Sequence, residues 1–181
     1  AQKRAILEAY WENCSAHHIS VYDPAPLDPY TVTWRKLGKD EGADLDPADR
    51  ALLQQHPLTP EIDWSAWDQV TTRAISHYRF NSLRLQDMPG LQKDSDTVQN
   101  LQGFEAGTRE YHLAFDAFYK KLEAHLREQG WLEEAILYWF DEPTEREYPF
   151  VLDAFVRVKQ AAPDIIRMVT EQVEPGLIGG P

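Results

Sequence analysis

The stretch A-I-L-Y-W-F, residues 135–140, is apolar on both of the faces that a strand presents. Successive strand side chains point to opposite sides, so such a run needs cover on each. That is the requirement of a parallel strand inside an α/β domain. "FNSLRLQ" and "DIIRMVTEQ" also read as strands, and "HISVYDP" as a short first strand closed by Pro24. Helical patterns separate them. Leu7, Tyr10, Trp11 and Cys14 share one face, and Trp64, Trp67, Thr71, Ala74, Ile75 and Tyr78 share another behind Asp63 as N-cap. Tyr111, Phe115, Phe118, Leu122 and Leu126 form a stripe between Thr108 as cap and Gly130 as stop. Val151, Ala154, Phe155 and Val158 form the last face, before Pro163.

Four strands alternating with helices give a parallel α/β fold, which can be finished as an open doubly wound sheet or as part of a (β/α)8 barrel. No G-x-G-x-x-G or Walker pattern is present, which weakens a nucleotide-binding open sheet. Residues 24–60 are rich in Pro, Asp and Gly and read as a long surface excursion; residues 86–107 read as a second loop. In either architecture, functional groups gather where strands end. Here the strands end in Tyr22-Asp23, Arg84-Leu85-Gln86, Asp141-Glu142 and Glu171-Gln172.

Charge narrows the partners. A net charge of -12 over 181 residues disfavours nucleic acid and anionic membrane surfaces, and no apolar run is long enough to insert into a bilayer. A neutral partner such as a sugar is compatible with it. Cys14 is the single cysteine, so neither an internal disulfide nor a cysteine metal site is expected, and no ligand spacing such as H-E-x-x-H appears. We expect no metal and no cofactor.

The segment "FDEPTEREYP" brings two adjacent acids to the end of the apolar strand. Acids before a helix are favoured by its dipole, and Thr144 with Glu147 has the form of a capping box. Pro149, however, is better placed at the helix start, which leaves Asp141 and Glu142 too far upstream to cap it. Arg84 can be explained by pairing with a nearby carboxylate, and His17 and His18 by a helix C-terminus. Of Tyr138 and Trp139, one must face the interior.

"EAHLREQGWLEEAILYWFDEP" followed by "YPFVLDAFVRVKQAAPDIIRMVTEQ" resembles the catalytic domain of glycoside hydrolase family 123, a group that includes related bacterial glycoside-hydrolase-like domains of unknown function. "HHISVYDPAP" and "FNSLRLQ" are similar to two earlier strand ends of that domain. The resemblance implies a (β/α)8 TIM barrel of which residues 1–181, as one partial catalytic domain with a long loop insertion at about 24–60, cover about four βα units. It implies a hydrolase of carbohydrate metabolism acting on a β-linked 2-acetamido sugar, N-acetylgalactosaminide-like, by substrate-assisted retaining catalysis. Asp141 and Glu142 would be catalytic, and Tyr22, Asp23, Arg84, Trp139 and Glu171 would bind substrate.

A partial barrel carries expectations of its own. The remainder of the barrel would be a partner besides the glycan, and the isolated chain would be inactive. Its uncovered inward face would carry Ile136, Tyr138, Phe140 and Met168. The compartment is open on the residues, and the resemblance points towards a secreted or periplasmic setting. Two alternatives stand beside the main reading. One is a retaining glycosidase with Glu142 as acid/base and its nucleophile elsewhere. The other is a non-catalytic carbohydrate-binding domain. Both carboxylates can reach one site only if the strand ends or twists at Phe140, because consecutive strand residues otherwise diverge.

Overall fold

The computed structural model describes residues 2–93, 99–172 and 174–177. The chain begins with helix α1 (Gln2–Ala16), then strand β1 (Thr31–Arg35), α2 (Pro47–Gln55), β2 (Thr59–Asp63) and α3 (Ser65–Ser76). Four short strands come next: β3 (Leu83–Arg84), β4 (Leu91–Lys93), β5 (Gln99–Leu101) and β6 (Phe104–Glu105). Helix α4 (Arg109–Gln129), β7 (Ala135–Asp141), α5 (Tyr148–Ala161) and β8 (Ile166–Thr170) complete it.

The sequence explains α4 most directly. Thr108 sits in an extended conformation and its Oγ1 accepts from the Tyr111 N–H at 3.2 Å. Gly130 ends the helix at φ 75°, a left-handed value that a residue without Cβ reaches at little cost. The stripe from Tyr111 to Leu126 is buried as its spacing requires. This helix touches all three sheets. Phe115 stacks on Trp139 of β7 at 5.9 Å between centroids, Lys121 Nζ donates to the Pro60 carbonyl of β2 at 2.6 Å, and Tyr111 Oη donates to Gln99 Oε1 of β5 at 3.1 Å.

Helix α5 starts at Tyr148 with Pro149 in its first turn, well beyond Glu142, so Asp141 and Glu142 do not cap it. Thr144 and Glu147 close their own turn, with the Thr144 N–H and Oγ1 both donating to Glu147 Oε2 at 2.7 and 2.6 Å. Asp63 does serve the start of α3, accepting from the Ser65 N–H at 3.0 Å.

The barrel expectation is overturned. Among the described residues, parallel pairing is confined to a three-stranded open sheet in the order β3-β7-β8. The other strands pair antiparallel, as the two-stranded β1-β2 and the meander β4-β5-β6. A barrel needs every strand flanked by parallel neighbours until the sheet closes, and three strands cannot close. The sheet therefore gives no support to the remainder of a barrel as a partner. Two local causes keep it small. β3 forms only two residues of ladder. The expected first strand is held instead by side chains: Ser20 Oγ donates to Asn81 Oδ1 at 2.9 Å and accepts from the Asn81 N–H at 3.0 Å. The Arg84 N–H, bonded to the Tyr22 carbonyl at 3.3 Å, ties that segment to the β3 edge.

Residues 24–60, read as an excursion without periodicity, contain β1, α2 and the start of β2. Asp46 caps α2 by accepting from the Ala48 and Asp49 N–H groups, with Pro47 as the first helical residue. Of the loop at 86–107, residues 94–98 lie outside the described residues.

One face of the parallel sheet is packed, with α4 over Trp139 and α5 over Phe140. The opposite face is open among the described residues: Ile166 and Met168 of β8 are 45% and 38% exposed, and Ile136 and Tyr138 are half-buried. Phe140, expected on that open face, lies on the other. Its ring meets Phe155 at 5.4 Å and Phe150 at 5.8 Å.

Candidate active site

Phe140 changes sides because β7 contains a bulge. Tyr138 pairs with Met168 and Phe140 with Val169, so Trp139 is one residue more than β8 can match. An unmatched residue interrupts strict alternation and re-aims the side chains beyond it. Trp139 and Phe140 are consequently both buried towards the helices, and Asp141 returns to the face occupied by Tyr138. The bulge sets the side of Asp141, while Glu142 leaves the strand by a separate change of backbone.

On the open face, Tyr138 Oη donates to Asp141 Oδ1 at 2.5 Å and Thr170 Oγ1 donates to the same oxygen at 2.7 Å. The two hydroxyl oxygens are themselves 2.6 Å apart. Such lengths are those of hydroxyls bonded to an ionised carboxylate. The Tyr138 hydrogen bond, with the Thr170 bond second, holds the Asp141 carboxyl below its ordinary range. The same bond raises the Tyr138 hydroxyl.

Glu142 leaves the strand at φ 46°, a left-handed conformation uncommon for a residue with a side chain. Pro143 comes next, and a residue before proline is already restricted to extended backbone. The Glu142 N–H donates to the Thr170 carbonyl at 2.8 Å, which anchors the turn. Strained backbone of this kind collects at functional sites. Glu142 then lines an open depression of about 660 Å³ with Pro143, Thr144, Tyr148, Thr170, Glu171 and Gln172. That volume is in the range of small-molecule pockets. Burial raises the Tyr148 hydroxyl, and Glu171, Glu174 and Glu145 add to it. Among the described residues, no three His, Cys, Asp or Glu side chains form a group able to hold a metal ion.

The remaining expected site residues divide. Tyr22 is 58% exposed and meets the Tyr138 ring edge-on at 5.9 Å. The Arg84 guanidinium lies over the Tyr22 ring at 5.2 Å and pairs with Asp87 at 2.8 Å. Arg84, Tyr22, Tyr138 and Asp141 thus form a continuous row, with Glu171 beside Glu142 at its end. Asp23 turns back on its own loop, accepting from the Ala25 N–H at 2.8 Å. Trp139 faces α4, with its buried Nε1 unpartnered. Thr170 belongs to no motif of the sequence. Its only signal there is its place at the end of the strand after the D-E-P segment.

A model of the glycoside hydrolase 123 catalytic domain matches residues 67–172, more than half of the chain. The chain belongs to this family. The match spans β3, α4, β7, α5 and β8, and with them Asp141, Glu142 and Glu171; Tyr22 and Asp23 fall outside it. Membership makes the protein a glycoside hydrolase domain, with a carbohydrate as its substrate. No curated protein matches the chain.

Proposed function

We propose that this family 123 domain hydrolyses a β-linked 2-acetamido sugar, N-acetylgalactosaminide-like, with retention and with the substrate's acetamido group as nucleophile. Glu142 is the general acid/base and Asp141 orients the acetamido group. The observation that carries the reading is that the two acids are chain neighbours at one strand end, with Asp141 turned to the open face by the bulge. An ordinary retaining pair stands across the sugar ring, about 5 Å apart and facing. When the nucleophile belongs to the substrate, the protein needs one proton donor at the leaving oxygen and one carboxylate at the acetamido N–H. Both targets lie on the same sugar.

The steps balance without another group. Glu142 gives its proton to the glycosidic oxygen as that C–O bond breaks, and the acetamido carbonyl oxygen forms a bond to the anomeric carbon. Asp141 accepts from the acetamido N–H and offsets the positive charge of the oxazolinium ring. Water then attacks the anomeric carbon, gives a proton to Glu142, and the ring opens to the product. Tyr22 and Arg84 supply an aromatic and cationic flank for the sugar, and Glu171 accepts from its hydroxyls. Aryl 2-acetamido-2-deoxygalactosides are expected to be cleaved and the matching galactosides, which lack the acetamido group, left intact. Equal turnover of both would eliminate substrate assistance.

A further inference from the structure

We infer that Tyr138 and Thr170 are positioning residues, a clamp that fixes one oxygen of Asp141 and leaves its other oxygen for the substrate. The inference rests on the role proposed for Asp141 and adds two residues that act through it without exchanging protons with the substrate.

Three observations carry it. First, both hydroxyls converge on Oδ1, while Oδ2 makes no hydrogen bond among the described residues. A carboxylate held at one oxygen by two donors has its plane and rotamer set, so Oδ2 has one direction in which to accept an N–H. Second, Thr170 serves both acids. Its side chain holds Asp141 and its carbonyl accepts from the Glu142 N–H at 2.8 Å, so one residue of β8 sets the relative position of the pair. Third, neither hydroxyl has a packing role to explain it. Tyr138 and Thr170 lie on the open face, away from the helices that cover Trp139 and Phe140. Tyr138 is in turn braced edge-on by Tyr22.

The titratable and charged groups around Asp141 are Tyr138 and Glu142 on its own strand and its end, Glu171 after β8, and Tyr22 with Arg84 across the row. Two donated hydrogen bonds favour the ionised form of Asp141, which is the form needed to accept an amide N–H. Removing either donor therefore moves its titration upward.

Tyr138→Phe keeps the ring against Tyr22 and removes the hydroxyl. Thr170→Val removes the other while keeping the carbonyl that holds Glu142, and Thr170→Ser restores a hydroxyl. On an aryl 2-acetamido glycoside, Tyr138→Phe and Thr170→Val are each expected to lower kcat on the order of tenfold at nearly constant KM, the scale of one charge-assisted hydrogen bond. The acid limb of the rate profile should move to higher pH, with Thr170→Ser close to the parent. Carbon-13 NMR of the Asp141 carboxyl, assigned with Asp141→Asn, reads the clamp without reference to activity. An Asp141 titration unchanged in both Tyr138→Phe and Thr170→Val overturns the clamp. A titration that moves while kcat and the acid limb stay put overturns its part in the reaction. Failure of the underlying reading is separate and shows in the parent background, as Asp141→Asn and Glu142→Gln variants with undiminished turnover.

Discussion

The two faces of β7 are built from the same seven residues and do different work. Towards the helices, Leu137, Trp139 and Phe140 are buried, and Trp139 and Phe140 pack against Phe115, Phe150 and Phe155. Towards the open side, Tyr138 and Thr170 each make a short hydrogen bond to Asp141, away from the helix core. A packed face resists loss of volume, and a polar face resists loss of geometry. Substitutions on the two faces should therefore separate stability from turnover, although the residues involved are adjacent in sequence.

The largest effect should lie on turnover. Glu142→Gln would remove the general acid proposed for the reaction, an expected loss of about 10²–10⁴ in rate on an unactivated glycoside. Aryl glycosides with good leaving groups should be spared in the step that needs a proton. Chemical denaturation should give the parent's midpoint, because Glu142 is exposed and lies outside the hydrophobic core. A large loss of stability in this variant would break the separation.

Phe115→Ala tests the packed face. Phe115 is buried against Tyr111, Tyr119 and Trp139, and its removal leaves a cavity costing about 3–5 kcal/mol. A urea titration should show the fall in midpoint, with the KM of the remaining folded protein close to the parent's. Gly130→Ala should cost less, about 1 kcal/mol. Nothing lies within 4 Å of the added Cβ, so the penalty is that of the left-handed backbone alone.

The smallest effect belongs to a surface pair remote from both faces. The hydrogen bond from Arg35, joined by one from the Gly38 N–H, lowers Glu41 to about 2. A depressed carboxylate contributes stability that is complete above its unfolded value, near 4.3, and is lost as pH falls through the folded one. The difference in stability between the parent and Glu41→Gln should therefore be constant at neutral pH, shrink below about 4, and vanish near 2. Acid titrations at low salt would show it. A difference that grew on acidification would reverse the sign of the pair.

The sequence makes parts of this comparison legible and hides others for a physical reason. Helix α4 can be read from cap to stop because Thr108, the apolar stripe and Gly130 are local signals. So can the start of α5 beside Pro149, at Tyr148, and the polar strand end at Asp141 and Glu142. The bulge cannot, because it is a mismatch in length between β7 and β8, and no residue of β7 announces it. Strict alternation puts Phe140 on the wrong face for that reason alone. The three-stranded sheet is hidden similarly, since strand closure is decided by pairing between distant segments. In residues 24–60, "TVTWR" has strand-forming composition, and the Pro, Asp and Gly around it mask its pairing with "TPEID".

The unmatched Trp139 makes the distance along the chain from Tyr138 to Asp141 a matter of odd and even. Separated by an odd number of steps, the two would stand on opposite sides of an ordinary strand; the irregularity sets them together. Losing Trp139 would restore plain alternation with Tyr138 and Asp141 an even two steps apart, still on one side. What would be lost is one of the two consecutive aromatic rings that β7 turns towards the helices. Exchanging Trp139 for another large apolar residue would disturb packing and leave the count intact. The extra residue thus adds a ring to the packed side while the acid keeps its place on the open one.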